Sequence, residues 1–308
     1  MFTRILIPLD GSEVAEQTLR YMRWLGRELG APIELLRVVE PIPRELKDVT
    51  DAASLERVES DLRAKSRDYL ENVGGSLRED GLQVSYTVLE GQPAFQVVGL
   101  ARKVPGTLIA MSTNGRTGMD WWLLGSVTDK VVHAATTPVL IIRSLGDAGV
   151  PEGAILSSVL VPLDGSEVAE HVLPHVVNLA KPLRLSVTLI RVTPEPSAFF
   201  GYLHDSASVT EEMSLRVDAQ AGEYLAEVGE KLQSQGIMSV EERVLHGDPA
   251  KAILEIAGEM RNVVVAMATH GMSGPGSLVM GAVTSRVVRY STGPTLVVSA
   301  DEKDSLLS

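Results

Sequence analysis

Short runs of β-branched and aliphatic residues alternate along this chain with longer stretches whose apolar residues recur at helical spacing. That alternation is the pattern of βαβ units wound on a parallel sheet. In the first half the strand-like runs are Arg4–Leu9, Ile33–Val39, Val84–Leu89, Thr107–Met111 and Val139–Arg143. Between them, Val14, Thr18, Met22, Leu25 and Leu29 place one stripe on a predicted helix over Glu13–Leu29. Further helices are predicted near Ala53–Asn72, Ala94–Lys103 and Ser126–Ala134. The second half repeats the same sequence of elements.

The repetition is visible residue by residue. PLDGSEVAE at Pro8–Glu16 recurs unchanged at Pro162–Glu170, and Arg37-Val38 matches Arg191-Val192, both at an offset of 154 (164 − 10 and 191 − 37). VLEGQPA from Val88 matches VLHGDPA from Val244, and Gly115 matches Gly271, at an offset of 156 (244 − 88 and 271 − 115). So small a drift implies near-equal folds, and two copies fall short of the roughly three that a solenoid requires. The expected fold class is α/β, with two tandem doubly wound domains at 1–146 and 155–308. The segment SLGDAGVPEG, Ser144–Gly153, reads as the linker between them.

Bulk properties narrow the function. A chain of 308 residues fits two domains of ordinary size. With 28 basic against 40 acidic residues the net charge is −12, which repels phosphate backbones and anionic membrane surfaces, so neither nucleic acid nor membrane is an expected partner. The lack of cysteine removes disulfides and thiolate zinc sites and agrees with a cytoplasmic location. Only a short apolar stretch precedes Asp10, and no run approaches the ~18 apolar residues of a membrane span, so export and embedding are not expected.

Two motifs carry candidate chemistry. Asp10 sits at the turn after the first strand, where with Glu13 it also fits a capping box that alone would account for it. The second motif is STNGRTGMDWWLLGS, Ser112–Ser126, with glycines at Gly115, Gly118 and Gly125, running from a buried strand to a helix start. Glycine lets backbone approach an anion closely, and a helix N-terminus presents amides and partial positive charge, so the loop suits phosphate. The lysine of a P-loop is absent, leaving backbone and hydroxyl donors. In an open parallel sheet, ligands bind beyond the carboxyl ends of the strands where the winding reverses. With strands one and four flanking that reversal, Asp10 and the Gly115–Ser126 loop would face one crevice. An aspartate repels phosphates, so its expected role there is to accept from ribose hydroxyls or to touch a phosphate-bound Mg²⁺.

These residues resemble the universal stress proteins. The resemblance is carried by ILIPLDGSE, LLRVVEP, GQPAFQVV, the spaced glycine loop and TTPVLIIR, and it extends over about Met1–Ser144 and Ser157–Ala300. It implies a five-stranded parallel sheet in the order 3-2-1-4-5 in each domain, with helices on both faces. It also implies an ATP site built from an aspartate for the ribose, a second-strand backbone contact to adenine, and a loop written Gly-x2-Gly-x9-Gly-Ser/Thr. Carried over position by position, the first half offers Asp10, Val38, Gly115, Gly125, Ser126 and Val127, with Ser112 in place of the first glycine. The second half offers Asp164, Val192, Gly271 and Gly281, but Ala268 replaces the first glycine and Ala282 the hydroxyl residue. Loss of a hydroxyl donor costs about 1–3 kcal/mol, so the first half is expected to hold ATP, with or without Mg²⁺, more tightly.

The expected function is ATP binding in a regulatory or stress-resistance role, without a catalytic residue and without fast catalysis. The alternatives are a nucleotide-free protein-interaction module and a slow ATPase or phosphotransfer enzyme on the same fold. His171 and His175 stand four apart on a predicted helix, but a solvated helix face is the expected reading rather than a metal site. His270 is placed near phosphate or in a loop-stabilising hydrogen bond. Trp121 and Trp122, aligned with Ser277 and Leu278, would cover their own domain or anchor a protein contact, while Met119, Trp122 and Leu123 could instead close over the nucleotide. The terminal strands PVLIIR and PTLVVS are expected at sheet edges, where they could pair the two halves as an internal pseudo-dimer or support a homodimer.

Overall fold

A computed structural model describes residues 1–113, 124–143, 155–195, 207–271 and 280–299. Backbone contacts divide the chain into two units, Phe2–Ile155 and Leu156–Ser308, the latter joined by Met1. The linker Ser144–Gly153 lies outside the described residues.

The first unit runs β1 (Arg4–Pro8), α1 (Glu13–Glu16), α2 (Thr18–Leu29), β2 (Ile33–Val39), α3 (Arg44–Lys47), α4 (Ala52–Glu79), β3 (Val84–Glu90), α5 (Pro93–Ala101), β4 (Thr107–Ser112), α6 (Ser126–Ala134) and β5 (Val139–Ile142). Its sheet has the order β3-β2-β1-β4-β5, every neighbouring pair parallel. The second unit repeats this with β6 (Ser158–Pro162), α7 (Glu167–Glu170), α8 (Leu173–Leu183), β7 (Ser186–Thr193), α9 (Ala207–Ser234), β8 (Val240–His246), α10 (Pro249–Glu259), β9 (Val263–Ala268), α11 (Ala282–Tyr290) and β10 (Thr295–Val298). Its order is β8-β7-β6-β9-β10, again parallel at each pairing. Both orders are the expected 3-2-1-4-5, with the terminal strand at one end of each unit's sheet.

Burial follows the doubly wound plan. Every residue of β4 and of β9 is buried, as continuous apolar strands covered on both faces must be, whereas β3 and β8 at the far end are only partly covered. Around Leu160 and Val265, residues Ile253, Ala257 and Val287 from α10 and α11 close the core of the second unit.

Three element boundaries differ from the sequence reading. The helix expected over Glu13–Leu29 is interrupted at Gln17, giving one turn of α1 and then α2. The helix expected to stop near Asn72 continues through Gly74 and Gly75 to Glu79 and closes before Gly81, whose φ is +81°. Interior glycines cost about 1 kcal/mol each, and burial of Leu70 and Leu77 on either side outweighs that. Ser12, not Asp10, is the N-cap of α1, because its Oγ accepts from Ala15 N at 3.2 Å. Among the described residues, no helix is long and apolar enough to cross a membrane.

Candidate functional site

The sheet order puts the carboxyl ends of β1 and β4 side by side, with Leu6 level with Ile109, and the winding reverses between them. Just beyond β1 the chain makes a tight turn. Gly11 has φ of +78°, a conformation that a side chain disfavours, and this turn brings Ser12 back over Asp10. Asp10 Oδ1 accepts from Ser12 N at 3.0 Å and from Ser12 Oγ at 2.5 Å. The second unit reproduces the turn, with Gly165 at φ +86° and Asp164 Oδ1 accepting from Ser166 N at 3.0 Å and Ser166 Oγ at 2.6 Å. The aspartate is thus held by the residue that caps the following helix. The capping box expected between Asp10 and Glu13 is not the arrangement found, because the left-handed glycine moves the helix start two residues onward.

Beyond β4, the start of α6 is stitched back to the strand. Gly125 N donates to Thr113 O at 2.5 Å, and Thr128 Oγ1 donates to Ser112 O at 2.8 Å. In the second unit Gly281 N donates to Thr269 O at 2.8 Å and Thr284 Oγ1 to Ala268 O at 2.9 Å. These bonds fix the direction of the first-turn amides of α6 and α11, which have no carbonyl partner within their own helix and carry the positive end of its dipole. Gly281 caps α11 in extended backbone, and a Cβ there would press on Thr269 O at 3.2 Å.

A cleft of about 290 Å³ opens between these elements in the first unit. Asp10, Val38, Ser112, Gly125, Ser126 and Val127 all line it. Gly115, Gly118, Met119, Trp121, Trp122 and Leu123 lie outside the described residues, as do Ser277 and Leu278. The second unit has a matching cleft of about 250 Å³, lined by Asp164, Val192, Gly271 and Gly281 together with Ala268 and Ala282. Here aspartate and loop meet directly: Gly271 lies against Asp164 so closely that a Cβ at 271 would come 3.1 Å from Asp164 Cγ.

Several lining residues escaped the sequence reading. Arg37, Glu40, Pro93, Val97, Met111 and Thr128 join the first cleft. Pro93 and Val97 belong to the GQPAFQVV motif and could have been placed by it. Arg37 precedes Val38, and its recurrence as Arg191 at the offset of 154 could have marked it. His270 lines the second cleft, with Nδ1 3.1 Å from Thr269 Oγ1.

Other candidates fall elsewhere. His171 follows α7 as its C-cap, whereas His175 lies within α8 and is only 5% exposed, so the two do not share one solvated helix face. Pro174 at the start of α8 separates them. Among the described residues, no three His, Cys, Asp or Glu side chains gather as a metal site.

Behind each cleft stands a tyrosine. Tyr69 donates to Glu16 Oε1 at 2.8 Å and Tyr224 to Glu170 Oε1 at 3.1 Å. Burial, reinforced by these carboxylates, raises both phenols well above their ordinary value.

Comparison with known proteins agrees with this architecture. The profile of the Universal stress protein family matches residues 1–143 and again 156–299. A universal stress protein of Methanocaldococcus jannaschii is 31% identical over 143 residues, spanning 46% of this chain and 83% of that protein. Another, from Mycolicibacterium smegmatis, is 26% identical over 299 residues, 96% of each chain. A crystal structure of a universal stress protein from Archaeoglobus fulgidus superposes with a TM-score of 0.70, covering 97% of this chain and 98% of that one at 22% identity, so the fold is shared along the full length. With its fold repeated in two matched segments, this chain belongs to the universal stress protein family as a tandem member.

Proposed function

We propose that the first unit binds ATP, with the ribose at Asp10, the adenine against the backbone of Val38, and the phosphates on the loop that ends at Gly125, Ser126 and Val127. The observation that carries this reading is that Asp10, Val38 and the start of α6 line a single cleft. A carboxylate at one end accepts from sugar hydroxyls, while helix amides and the Ser126 hydroxyl at the other donate to anionic oxygens. The cleft supplies no ammonium group among its described lining residues, which favours holding a nucleotide over rapid phosphoryl transfer. Mg²⁺ would arrive with the phosphates, since it is commonly held by substrate oxygens and one or two carboxylates rather than by a full protein cage.

The second unit keeps Asp164, Val192, Gly271 and Gly281 in the corresponding cleft but presents methyl groups at Ala268 and Ala282. That difference supports a weak nucleotide site there, or an interaction module that has given up nucleotide. The tandem chain would then act as a regulatory protein whose state follows the nucleotide in its first unit.

The test is the nucleotide content of protein purified without added ligand, read by mass spectrometry after denaturation, together with calorimetric titration of the stripped chain. One tightly held adenine nucleotide per chain is expected. A stripped chain that takes up no ATP at millimolar concentration would refute the reading.

A further inference from the structure

Each aspartate turn is bordered by an arginine, a tyrosine and a glutamate in contact with one another. In the first unit Arg37 Nη1, reaching from β2, donates to Leu9 O at 3.2 Å, and Leu9 is the residue just before Asp10. The Arg37 guanidinium lies over the ring of Tyr69 on α4, 5.9 Å from its centre, within the range of a cation–π contact. Tyr69 passes its hydroxyl hydrogen to Glu16 at the end of α1, and α1 begins at Ser12, whose N–H and hydroxyl hold Asp10. The ring therefore closes on the aspartate.

The second unit repeats the arginine–tyrosine–glutamate contacts. Arg191 lies 5.1 Å from the centre of the Tyr224 ring, Tyr224 donates to Glu170, and Ser166 holds Asp164. The Arg191 guanidinium is packed onto the turn itself, since a Cβ on Gly165 would come within 2.9 Å of its Nη2. All six ring side chains are half-buried. The phosphate end of the two clefts has diverged, with Ala268 and Ala282 at the positions of Ser112 and Ser126, yet the aspartate turn and its arginine, tyrosine and glutamate are kept. Asp10 lies near enough to help raise the Tyr69 phenol, and Asp164 does the same to Tyr224.

We propose that Arg37, Tyr69 and Glu16, and likewise Arg191, Tyr224 and Glu170, are positioning residues that hold the aspartate turn in register for the paired hydroxyls of a ribose. This rests on the nucleotide reading of the first cleft. Tyr69 and Glu16 act through α1 on where the carboxylate points, so their removal should be felt by a ligand with sugar hydroxyls and not by one without.

The experiment titrates the full chain with ATP and with 2′,3′-dideoxy-ATP, in an Asp164→Ala background so that the first cleft reports alone. That parent chain should bind ATP about tenfold or more tightly than the dideoxy compound. Tyr69→Phe, which removes one hydroxyl, should weaken ATP binding about five- to tenfold and leave dideoxy-ATP unchanged, collapsing the discrimination. Ser126→Ala should weaken both ligands equally. Glu16→Gln, which weakens the acceptor of the Tyr69 hydroxyl at nearly constant size, carries the same readout should Tyr69→Phe fail to fold. Equal losses for both ligands in Tyr69→Phe, or no loss for either, would overturn the positioning role while leaving ATP binding intact. A parent chain that binds the two ligands equally overturns the ribose assignment of Asp10 and the ring's role with it.

Discussion

Asp164 and Gly271 are in mutual contact across the second cleft: an added Cβ on residue 271 would overlap Asp164 Oδ2. The turn after the first strand and the loop after the fourth therefore share one space, although 107 positions (271 − 164) separate the two residues. Gly271→Ala should force Asp164 off its Ser166 partner or push the loop outward, costing about 1–3 kcal/mol. The denaturation midpoint should drop with an unchanged slope. Gly258, on α10 with nothing within 4 Å of its would-be Cβ, is the control, and Gly258→Ala should be neutral or stabilising by up to ~1 kcal/mol.

Ser126 opens α6 within the first cleft, and Ala282 opens α11 within the second. Ser126→Ala is expected to lower ATP affinity about five- to hundredfold while leaving adenosine binding unchanged, as calorimetry with the two ligands would show. The reciprocal Ala282→Ser should raise ATP affinity in the second unit. An identical loss for adenosine would mean that the hydroxyl does not serve the phosphates.

Asp10→Asn separates holding the turn from holding a sugar. An asparagine oxygen still accepts from Ser12, so the melting temperature should move little, whereas ATP affinity should fall about ten- to hundredfold with the lost charge. Ser12→Ala removes the cap of α1 at about 0.5–2 kcal/mol of stability and, because the same hydroxyl holds Asp10, should weaken ATP binding as well.

Acid and base act on different groups. Asp51 caps α4 and Asp248 caps α10, and hydrogen bonds from Ser54 and from Arg286 and Lys251 hold their carboxyls below the ordinary value. A depressed folded value means that their stabilisation is present above pH ~4 and fades as pH falls below it, so both helix starts should fray first in acid. Tyr69 and Tyr224 are shifted upward, so theirs is complete below pH ~10 and is lost as pH climbs beyond it. Burial raises the Tyr21 phenol too, so ultraviolet difference titration should show Tyr21, Tyr69 and Tyr224 as late phenols, and Glu16→Gln should bring Tyr69 down.

The strands were legible because a parallel sheet buries them on both faces, so TLIAM and its counterparts announce themselves as continuous apolar runs. Resemblance to the universal stress proteins made Asp10, Val38, Ser112, Gly125 and Ser126 readable as one group, and all five line the first cleft. Helix limits were less legible: Gly74–Gly75 reads as a stop, yet the packing of Leu70 and Leu77 carries α4 past it. The ring of Glu16, Arg37 and Tyr69 was not legible as a group, although Glu16 and Arg37 recur as Glu170 and Arg191. Those residues follow no common period, and only the winding of α1, β2 and α4 around β1 brings them together.

The amide of Gly125 clasping Thr113 O, like that of Gly281 clasping Thr269 O, closes a twelve-residue step (125 − 113 and 281 − 269) between two anchored posts. The head of each helix is thereby moored to the strand that precedes it rather than to whatever the cleft holds. The cradle should keep its aim whether empty or filled.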